Sequence, residues 1–242
     1  NNVVYIPVYG RHDLLKLSID SVKSQNDKNI KFFCICSEQD DISFVKNQNI
    51  DCVYSDNLPL GRKFQKGIIF SKTFYPYTVS ILGSDDLMSN NYINKVQNWA
   101  DNYDIIGKIS WLIKTETDMY KVRYKKQVLP VKYVYKKNLG HLEEEERHSQ
   151  ILLNDNKNFP RILGAGRCLN YKILQKCNWQ IYSTSLNRNL DTVSMLKMLL
   201  RGGKVLCLET DVYNITSIKV NQIMLHTLDD IIRGGSVLME KL

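Results

Sequence analysis

The stretch VSILGSDDLMS, residues 79–89, decides the predicted fold. Its first four residues are mostly β-branched or aliphatic, as in a strand that is buried on both faces, and Gly83 ends that strand. Two adjacent carboxylates, Asp85 and Asp86, follow at the carboxyl end of the strand, which is where ligands bind in open α/β sheets. The pair is therefore a candidate metal or phosphate site. The alternative is an ordinary turn and N-cap in front of the next helix.

Three further strand-like runs precede this stretch, at residues 3–8, 30–36 and 51–54. Each run ends in charged or polar residues, and apolar residues at helical spacing follow the first. This order of strands and helices predicts an α/β fold with parallel strands and right-handed crossovers. The loops after the three strands should therefore line one edge of the sheet and form a crevice the size of a nucleotide.

The second half of the chain also alternates helices and strands. Its pattern predicts a helix over 92–100, a strand over 103–113, and helices that begin at Tyr171 and Asp191. Residues 114–137 alternate in the β manner, which predicts a hairpin or a flap. By capping logic alone, Asp191 is simply the N-cap of its helix.

The composition is that of an ordinary globular protein. The 242 residues are 43% apolar and 24% charged, and no apolar run approaches the roughly 18 to 20 residues that span a bilayer. The net charge of +8 is compatible with polyanionic partners such as nucleotides, but the basic residues are scattered except over 121–137. That basic, Tyr-rich segment also resembles a platform for single-stranded nucleic acid. A two-faced hairpin explains it equally well, and we expect no nucleic-acid partner.

Cysteine usage and the start of the chain bear on its location. The six cysteines fit no metal-binding spacing and predict reduced, buried thiols in a cytoplasm-like compartment. The sequence begins directly with a strand and shows no signal-peptide pattern. We expect a cytoplasmic protein, with attachment to the periphery of a membrane as an open alternative. The missing initiator Met leaves room for an anchor or an additional domain outside this stretch.

Five segments together resemble motifs of the GT-A glycosyltransferases, specifically of the large inverting family numbered 2. In chain order they are IPVYGR (6–11), NLPLGRKFQKGI (57–68), LGSDD (82–86), LGAGRCLNY (163–171) and NLDTVSMLKMLLRGGKV (189–205). They resemble the family's nucleotide-binding turn, its glycine-containing helix, its Asp-x-Asp, its acceptor-side glycine loop, and its Glu-Asp helix with the strand that follows. The resemblance implies a Rossmann-like GT-A fold, in which helices flank a mixed, mainly parallel sheet in a single domain.

The resemblance also implies a function. Members of this family transfer a sugar from a nucleotide-sugar, most often a UDP-sugar, to a hydroxyl of a glycan or another acceptor, with inversion. Mn²⁺ or Mg²⁺ is then expected to assist, held by Asp85 and by oxygens of the diphosphate. Asp191 is expected to act as the general base. The chain departs from the family in two places, because Gly83 replaces the first acid of Asp-x-Asp and Leu190 replaces the Glu of the Glu-Asp pair.

The same resemblance assigns the remaining site residues. Glu38 is taken as the acid that contacts the nucleoside, with Asp40 as the alternative. Gly164, Ala165 and Gly166 are assigned to the acceptor side, where they would allow donor and acceptor to approach closely. The expected donor-binding residues are Pro7, Tyr9, Arg11, Glu38, Asp56, Lys63, Ser84, Asp85 and Asp86.

The chain divides accordingly into a main domain and an extension. Residues 1–210 are expected to form the GT-A domain, with 1–89 as its nucleotide-sugar-binding half and 90–210 as its acceptor half. Residues 211–242 are expected to form an extension packed on the same domain, with a helix near 225–232.

Two other functions stay open as alternatives. A sugar nucleotidyltransferase shares the nucleotide-binding topology, but it should carry a glycine-rich loop with Arg and Lys after the first strand. This chain reads YGRHD (9–13) there, with one glycine. A non-catalytic nucleotide- or RNA-binding module would use the basic, Tyr-rich segment. Its binding would depend steeply on salt and survive loss of Asp191, whereas sugar transfer would not survive that loss.

Overall fold

The structure, a computed structural model, describes most of the chain. It forms an α/β fold in which helices cover both faces of a mainly parallel sheet. The class predicted from the order of strands and helices is thereby confirmed. The described residues are 1–27, 29–125, 128–141, 158–209, 214–218 and 237–242.

The strands of the described residues are short and rich in β-branched residues where they are buried on both faces. Those that form the main sheet include the run 78–81 that opens the acidic stretch. In chain order the strands are β1 (Asn2–Pro7), β2 (Ile30–Cys36), β3 (Asp51–Tyr54), β4 (Thr78–Ile81), β5 (Asp86–Met88), β6 (Ile105–Lys108), β7 (Ser110–Lys114), β8 (Met119–Tyr124), β9 (Val128–Pro130), β10 (Asn158–Pro160), β11 (Cys168–Asn170), β12 (Val205–Leu208), β13 (Ile215–Ile218) and β14 (Val237–Lys241).

Helices connect many of these strands, and each of the longer ones buries one apolar face. Short 3₁₀ turns follow two of them, at 72–74 and 139–141. In chain order the helices are α1 (His12–Lys23), α2 (Gln39–Asn47), α3 (Leu60–Ser71), α4 (Tyr92–Gln97), α5 (Val131–Asn138), α6 (Tyr171–Lys176) and α7 (Leu190–Leu200).

The main sheet has the strand order β12-β6-β11-β4-β1-β2-β3. Strand β11 runs antiparallel to both of its neighbours, and the other pairs are parallel. From β1 the chain first adds β2 and β3 on one side, and then returns to place β4 on the other side. The carboxyl ends of β1 and β4 therefore flank a topological switch point, which is the usual position of a ligand crevice in an open α/β sheet.

A second sheet, of order β14-β8-β7-β13-β5, lies beside this edge. It joins the segment just after the acidic loop to the end of the chain, because β13 pairs antiparallel with β5 and parallel with β7. Strand β14 pairs antiparallel with β8. The described parts of residues 211–242 are thus hydrogen-bonded to strands from the middle of the chain.

Two apolar clusters sit on opposite faces of the main sheet. On one face Tyr5 packs with residues of α3, α6 and α7, and on the other Val4 packs with residues of α1, α2 and α4. Because successive side chains of a strand point to opposite faces, β1 contributes to both clusters and is buried along its length. The central strands are therefore rigid supports for the loops at their carboxyl ends.

The structure corrects the β prediction for the end of the segment 114–137. Residues 119–124 and 128–130 are strands, but 131–138 form helix α5. Val134, Tyr135 and Asn138 are buried, which is the i, i+1, i+4 spacing of a helix face, and the side-chain amide of Asn138 donates to the Val134 carbonyl at 2.8 Å. The alternation of Tyr and Val is compatible with the period of a strand and with that of a helix, and the segment after Pro130 is helical.

The single strand predicted over 103–113 is two strands in two different sheets. Strand β6 belongs to the main sheet and β7 to the second sheet, and the change occurs at Ile109, whose N–H donates to the Leu208 carbonyl at 3.1 Å. An unbroken apolar run does not reveal such a change of sheet.

Other predictions concern cysteines, membrane spans and the tail. All six cysteines lie within the described ranges and are free thiols. Among the helices of those ranges, none combines the length and the apolar character needed to span a bilayer. The helix predicted near 225–232 lies outside the described residues.

Candidate active site

A cleft of about 390 Å³ opens at the switch point between β1 and β4. It brings together parts of the sequence that lie far apart, from the turn after β1 to the first turn of α7. Its wall includes most of the residues predicted from the sequence, namely Pro7, Tyr9, Arg11, Lys63, Ser84, Asp85, Asp86, Gly164, Ala165 and Asp191.

The turn after β1 is held by a buried carboxylate that the sequence did not single out. Asp41, in the first turn of α2, is only 1% exposed. One of its oxygens accepts from the Gly10 N–H at 3.0 Å and lies 2.8 Å from Nε2 of His12. His12 also stacks on Phe44, with ring centroids 4.5 Å apart. Asp41 thus fixes the backbone turn that presents the next residue, Arg11, to the cleft.

Arg11 links that turn to the acidic loop after β4. Its backbone is left-handed, with φ of 55°. Its guanidinium donates to Ser84 Oγ at 2.9 Å and lies 3.4 Å from Asp85 Oδ2. The side chain of Asp85 is 13% exposed, so this ion pair is shielded and stronger than one on an open surface. The Arg11 guanidinium and the Asp85 carboxylate therefore lie side by side at the carboxyl end of β4.

Gly83 is where the Asp-x-Asp pattern lacks its first acid, and Asp86 occupies the space beside it. A Cβ built on Gly83 would lie 3.2 Å from Asp86 Cγ and closer still to one of its oxygens. The carboxylate of Asp86 accepts from Ser217 Oγ on β13, and the Ile218 N–H donates to the Asp85 carbonyl at 2.8 Å. The acidic loop is therefore clamped by the tail strand.

Lys63 lies in the first turn of α3 and is buried, with 1% exposure. Its ammonium donates to the Val8 carbonyl and to Asn57 Oδ1, the latter at 3.1 Å, and lies 5.9 Å from the centroid of the Tyr9 ring. Burial lowers the pKa of Lys63 to about 8, although nearby acidic groups such as Asp41 act in the opposite direction. The ammonium group of Lys63 therefore loses its positive charge in mildly alkaline solution.

Asp191 lines the cleft from the first turn of α7; it is not the N-cap that the sequence suggested, because the helix begins at Leu190 and Asn189 precedes it. Its carboxylate is 55% exposed, and Oδ1 lies 3.4 Å from Nη2 of the buried Arg167. The other carboxylate oxygen packs against Gly164, where a Cβ would lie 2.6 Å from Asp191 Cγ. The arrangement fixes an accessible carboxylate at the wall of the cleft, as a base requires.

Comparison with known proteins bears on this arrangement. No family model and no curated relative matches the sequence. Among solved structures, TarS from S. aureus, a GT-A-like protein, matches 90% of this chain and 36% of its own, at 12% identity and a TM-score of 0.59. Its fragment 1–349 matches 90% of this chain both in complex with UDP (60% of that chain, 14% identity, TM-score 0.59) and with UDP-GlcNAc (58%, 13%, 0.60).

The chain has the GT-A fold. This chain spans little more than a third of TarS and about three fifths of the TarS fragment. The Rossmann-like topology expected from the five sequence segments is confirmed by this likeness.

Three predicted residues lie outside the GT-A cleft. Glu38 precedes α2 and is exposed. Asp56 is also exposed, where it accepts from the Tyr54 hydroxyl at 3.0 Å and lies 3.9 Å from Arg62. Gly166 has a φ of 71°, and a Cβ there would meet Ile215 Cδ1 at 2.5 Å, so this glycine accommodates the tail strand. The roles assigned to these three stay predictions from the resemblance.

Proposed function

We propose that this protein is an inverting, metal-assisted glycosyltransferase that uses a nucleotide-sugar, with a UDP-sugar as the first candidate donor. The observation that carries the proposal is the placement of Asp85 and Asp191 on the wall of one cleft at the switch point of a GT-A fold. TarS has been crystallised with UDP and with UDP-GlcNAc, which supports the choice of donor. The acceptor is a hydroxyl of a glycan or of another molecule.

The nucleotide would lie across the carboxyl ends of β1 and β4. Backbone groups of residues 7–9 border that part of the cleft, and the exposed ring of Tyr9 offers a face for the nucleoside. Arg11 and Lys63 supply positive charge for the diphosphate. This part of the cleft therefore offers an aromatic face and positive charge, the two features that a nucleoside diphosphate needs.

Asp85 is the residue that would hold the metal, since it lines the cleft while Ser217 engages the carboxylate of Asp86. The described residues contain no group of three His, Cys, Asp or Glu side chains suited to a metal ion. One carboxylate together with substrate phosphates is nonetheless a donor set that Mg²⁺ uses in nucleotide sites, so Asp85 fits such an ion alongside the diphosphate. When bound, the ion would neutralise charge on the leaving diphosphate. Arg11 places a second positive charge beside Asp85.

Asp191 is the proposed general base. It would take the proton of the acceptor hydroxyl, whose oxygen forms a bond to the anomeric carbon on the face opposite the leaving group. The bond from that carbon to the diphosphate oxygen breaks as the new bond forms, and the nucleoside diphosphate leaves with the electron pair. The sugar is inverted in this single displacement, and no covalent intermediate with the protein forms.

A thermal-shift comparison tests the proposal. UDP, GDP, dTDP and CDP are each added with and without Mn²⁺. A ligand at about 100 times its dissociation constant adds roughly 2.7 kcal/mol to the free energy of unfolding, which raises the Tm of a chain of this size by several degrees. We expect UDP with Mn²⁺ to give the largest rise. If none of the four nucleotides shifts the Tm, the cleft is not a nucleotide site and the proposal is wrong.

The affinity for UDP is expected to fall as the pH rises from 7 to 9. The pKa of Lys63 is lowered to about 8, so the side chain loses its positive charge over this range. The phosphates of UDP, with a second pKa of about 6, keep their negative charge. Lys63→Met should bind UDP more weakly at pH 7 and lose the pH dependence. Calorimetric titration at both pH values checks this, with the exposed Lys66→Met as the matched control.

An equal pH dependence in the wild type and in Lys63→Met would remove Lys63 from the donor site. Binding by the diphosphate should itself raise the pKa of Lys63, so the fall is expected mainly above pH 8.

Gly164→Ala is expected to reduce kcat by about 10²-fold while leaving the fold intact. The added methyl would overlap the carboxylate of Asp191, which is the movable end of a side chain and would rotate away from its present position. Steady-state kinetics and a melting curve measure the two effects. In the control Gly140→Ala, the methyl meets no described atom within 4 Å, and both quantities should stay unchanged. Wild-type kcat in Gly164→Ala would show that the position of Asp191 does not matter for transfer.

A further inference from the structure

A second cavity, of about 120 Å³, shares Asp191 with the cleft. Its wall includes two arginines, Arg161 and Arg167, together with Tyr124 and Thr192. Drug-sized ligands occupy pockets of about 300 Å³ or more, so this cavity holds a single small group rather than a sugar ring. Its position at Asp191 makes it a neighbour of the proposed base.

Arg167 is the first sign of what the cavity binds. The side chain is 1% exposed. One terminal nitrogen donates to Ser194 Oγ at 3.2 Å and to the Asp191 carbonyl at 3.3 Å, and the other lies 3.4 Å from the Asp191 carboxylate. Its Nε–H, however, is buried without an acceptor anywhere in the described ranges. A buried donor of a charged group left unsatisfied is costly, and a negative charge in the adjoining cavity would offset part of that cost.

Arg161 is held in place on the same wall. Its guanidinium carbon lies 4.3 Å from the centroid of the Tyr124 ring, which is a stacked arrangement. Stacking occupies the flat face of the guanidinium and leaves the N–H groups at its edge for a ligand. Two guanidinium groups therefore share this cavity with one carboxylate, that of Asp191.

The first turn of α7 adds further donors. Asn189 precedes the helix with left-handed backbone and makes no capping hydrogen bond with its side chain. Thr192, in that first turn, lines the cavity. The N-terminal N–H groups of a helix and its dipole favour an anion at this end. The helix terminus, the buried Nε of Arg167 and the stacked Arg161 thus point to the same kind of ligand.

We propose that this cavity binds an oxyanion, a phosphate or a carboxylate, that is carried by the acceptor whose hydroxyl lies at Asp191. The proposal rests on the glycosyltransferase function proposed above and specifies its acceptor class. A neutral acceptor would leave the edge of Arg161 to be satisfied by water alone and would not offset the charge of the two arginines. An oxyanion in the cavity accepts from the edge of Arg161 and offsets the charge of the two arginines.

The test is a calorimetric titration of protein that is already saturated with UDP and Mg²⁺, so that the cleft cannot take up the added anion. Inorganic phosphate and glucuronate are titrated separately at constant ionic strength into the wild type, Arg161→Gln and Arg201→Gln. Arg201 is an exposed arginine ten residues after Asp191 on α7, about 15 Å away along the helix, and serves as the control. We expect saturable binding to the wild type, at least tenfold weaker binding to Arg161→Gln, and no more than a twofold change in Arg201→Gln.

The outcomes separate this proposal from the proposed function. The affinity for UDP is measured first in all three proteins, and a wild type that does not bind UDP would contradict the function itself. If all three bind UDP but the wild type binds neither anion, or Arg161→Gln binds as tightly as the wild type, the oxyanion site is wrong and the function stands. Tighter binding of phosphate than of glucuronate identifies a phosphorylated acceptor, and the reverse order identifies an acidic sugar.

Discussion

Asp191→Asn is expected to lower kcat for sugar transfer by about 10²- to 10⁴-fold, because the amide cannot take the proton of the acceptor hydroxyl. The affinity for UDP should change less than twofold, since Asp191 is not among the residues that we assign to the nucleotide. Asn has nearly the same size as Asp and still accepts from Arg167, so the fold is expected to hold. Steady-state kinetics together with UDP titration separate the two effects.

The control for this prediction is Asp20→Asn. Asp20 is an exposed carboxylate on α1 that pairs with Lys16, far from the cleft, so its loss should change neither kcat nor the affinity for UDP. If Asp191→Asn keeps more than a tenth of the wild-type kcat, Asp191 is not the base, and it would then serve only as an acid in the first turn of its helix.

Asp85→Asn is expected to abolish the contribution of the divalent metal to nucleotide binding. The wild type should bind UDP more tightly with Mn²⁺ than without it, whereas the variant should bind equally in both conditions, because a neutral amide is a much poorer ligand for a hard cation. Transfer should fall at least 10²-fold, since the leaving diphosphate loses charge compensation. Arg11, freed from its partner, would retain part of the affinity without metal.

Asp20→Asn is again the control, since Asp20 is an exposed carboxylate outside the wall of the cleft. It should keep the metal dependence of the wild type. A wild type whose affinity for UDP is the same with and without Mn²⁺ would contradict the assigned role of Asp85 and leave Arg11 and Lys63 as the charges that face the diphosphate.

Local sequence pattern was sufficient to predict the central strands and the edge at which the site lies. The run 79–82 is apolar enough to be buried on both faces, and its acids then fall at the carboxyl end of the strand. Lys63 was also placed correctly in the first turn of a helix. Its burial could not be predicted in this way, because the Val8 carbonyl that accepts from it belongs to the turn after β1, 55 residues earlier.

Contacts between distant segments account for what the sequence did not reveal. The loop SEQDD (37–41) contains three acids. Because helix α2 begins at Gln39, Asp41 is buried against the turn after β1, and Glu38 lies outside the cleft. The periodicity that separates these acids spans less than one helical turn, so pattern alone could not select Asp41. Gly166 looked like part of an acceptor loop, but its lack of a side chain accommodates Ile215 from the tail.

The hydrogen bonds between β13 and the acidic loop also constrain how the gene can be altered. Ser217 binds the carboxylate of Asp86, and Ile218 binds the backbone of Asp85, across more than 130 positions of sequence. A library that recombines this gene with a distant homologue should therefore inherit residues 82–88 and 214–218 from the same parent. Crossovers between the two blocks would join a donor loop to a tail strand that was never selected to support it, and truncation before residue 214 would remove that support altogether.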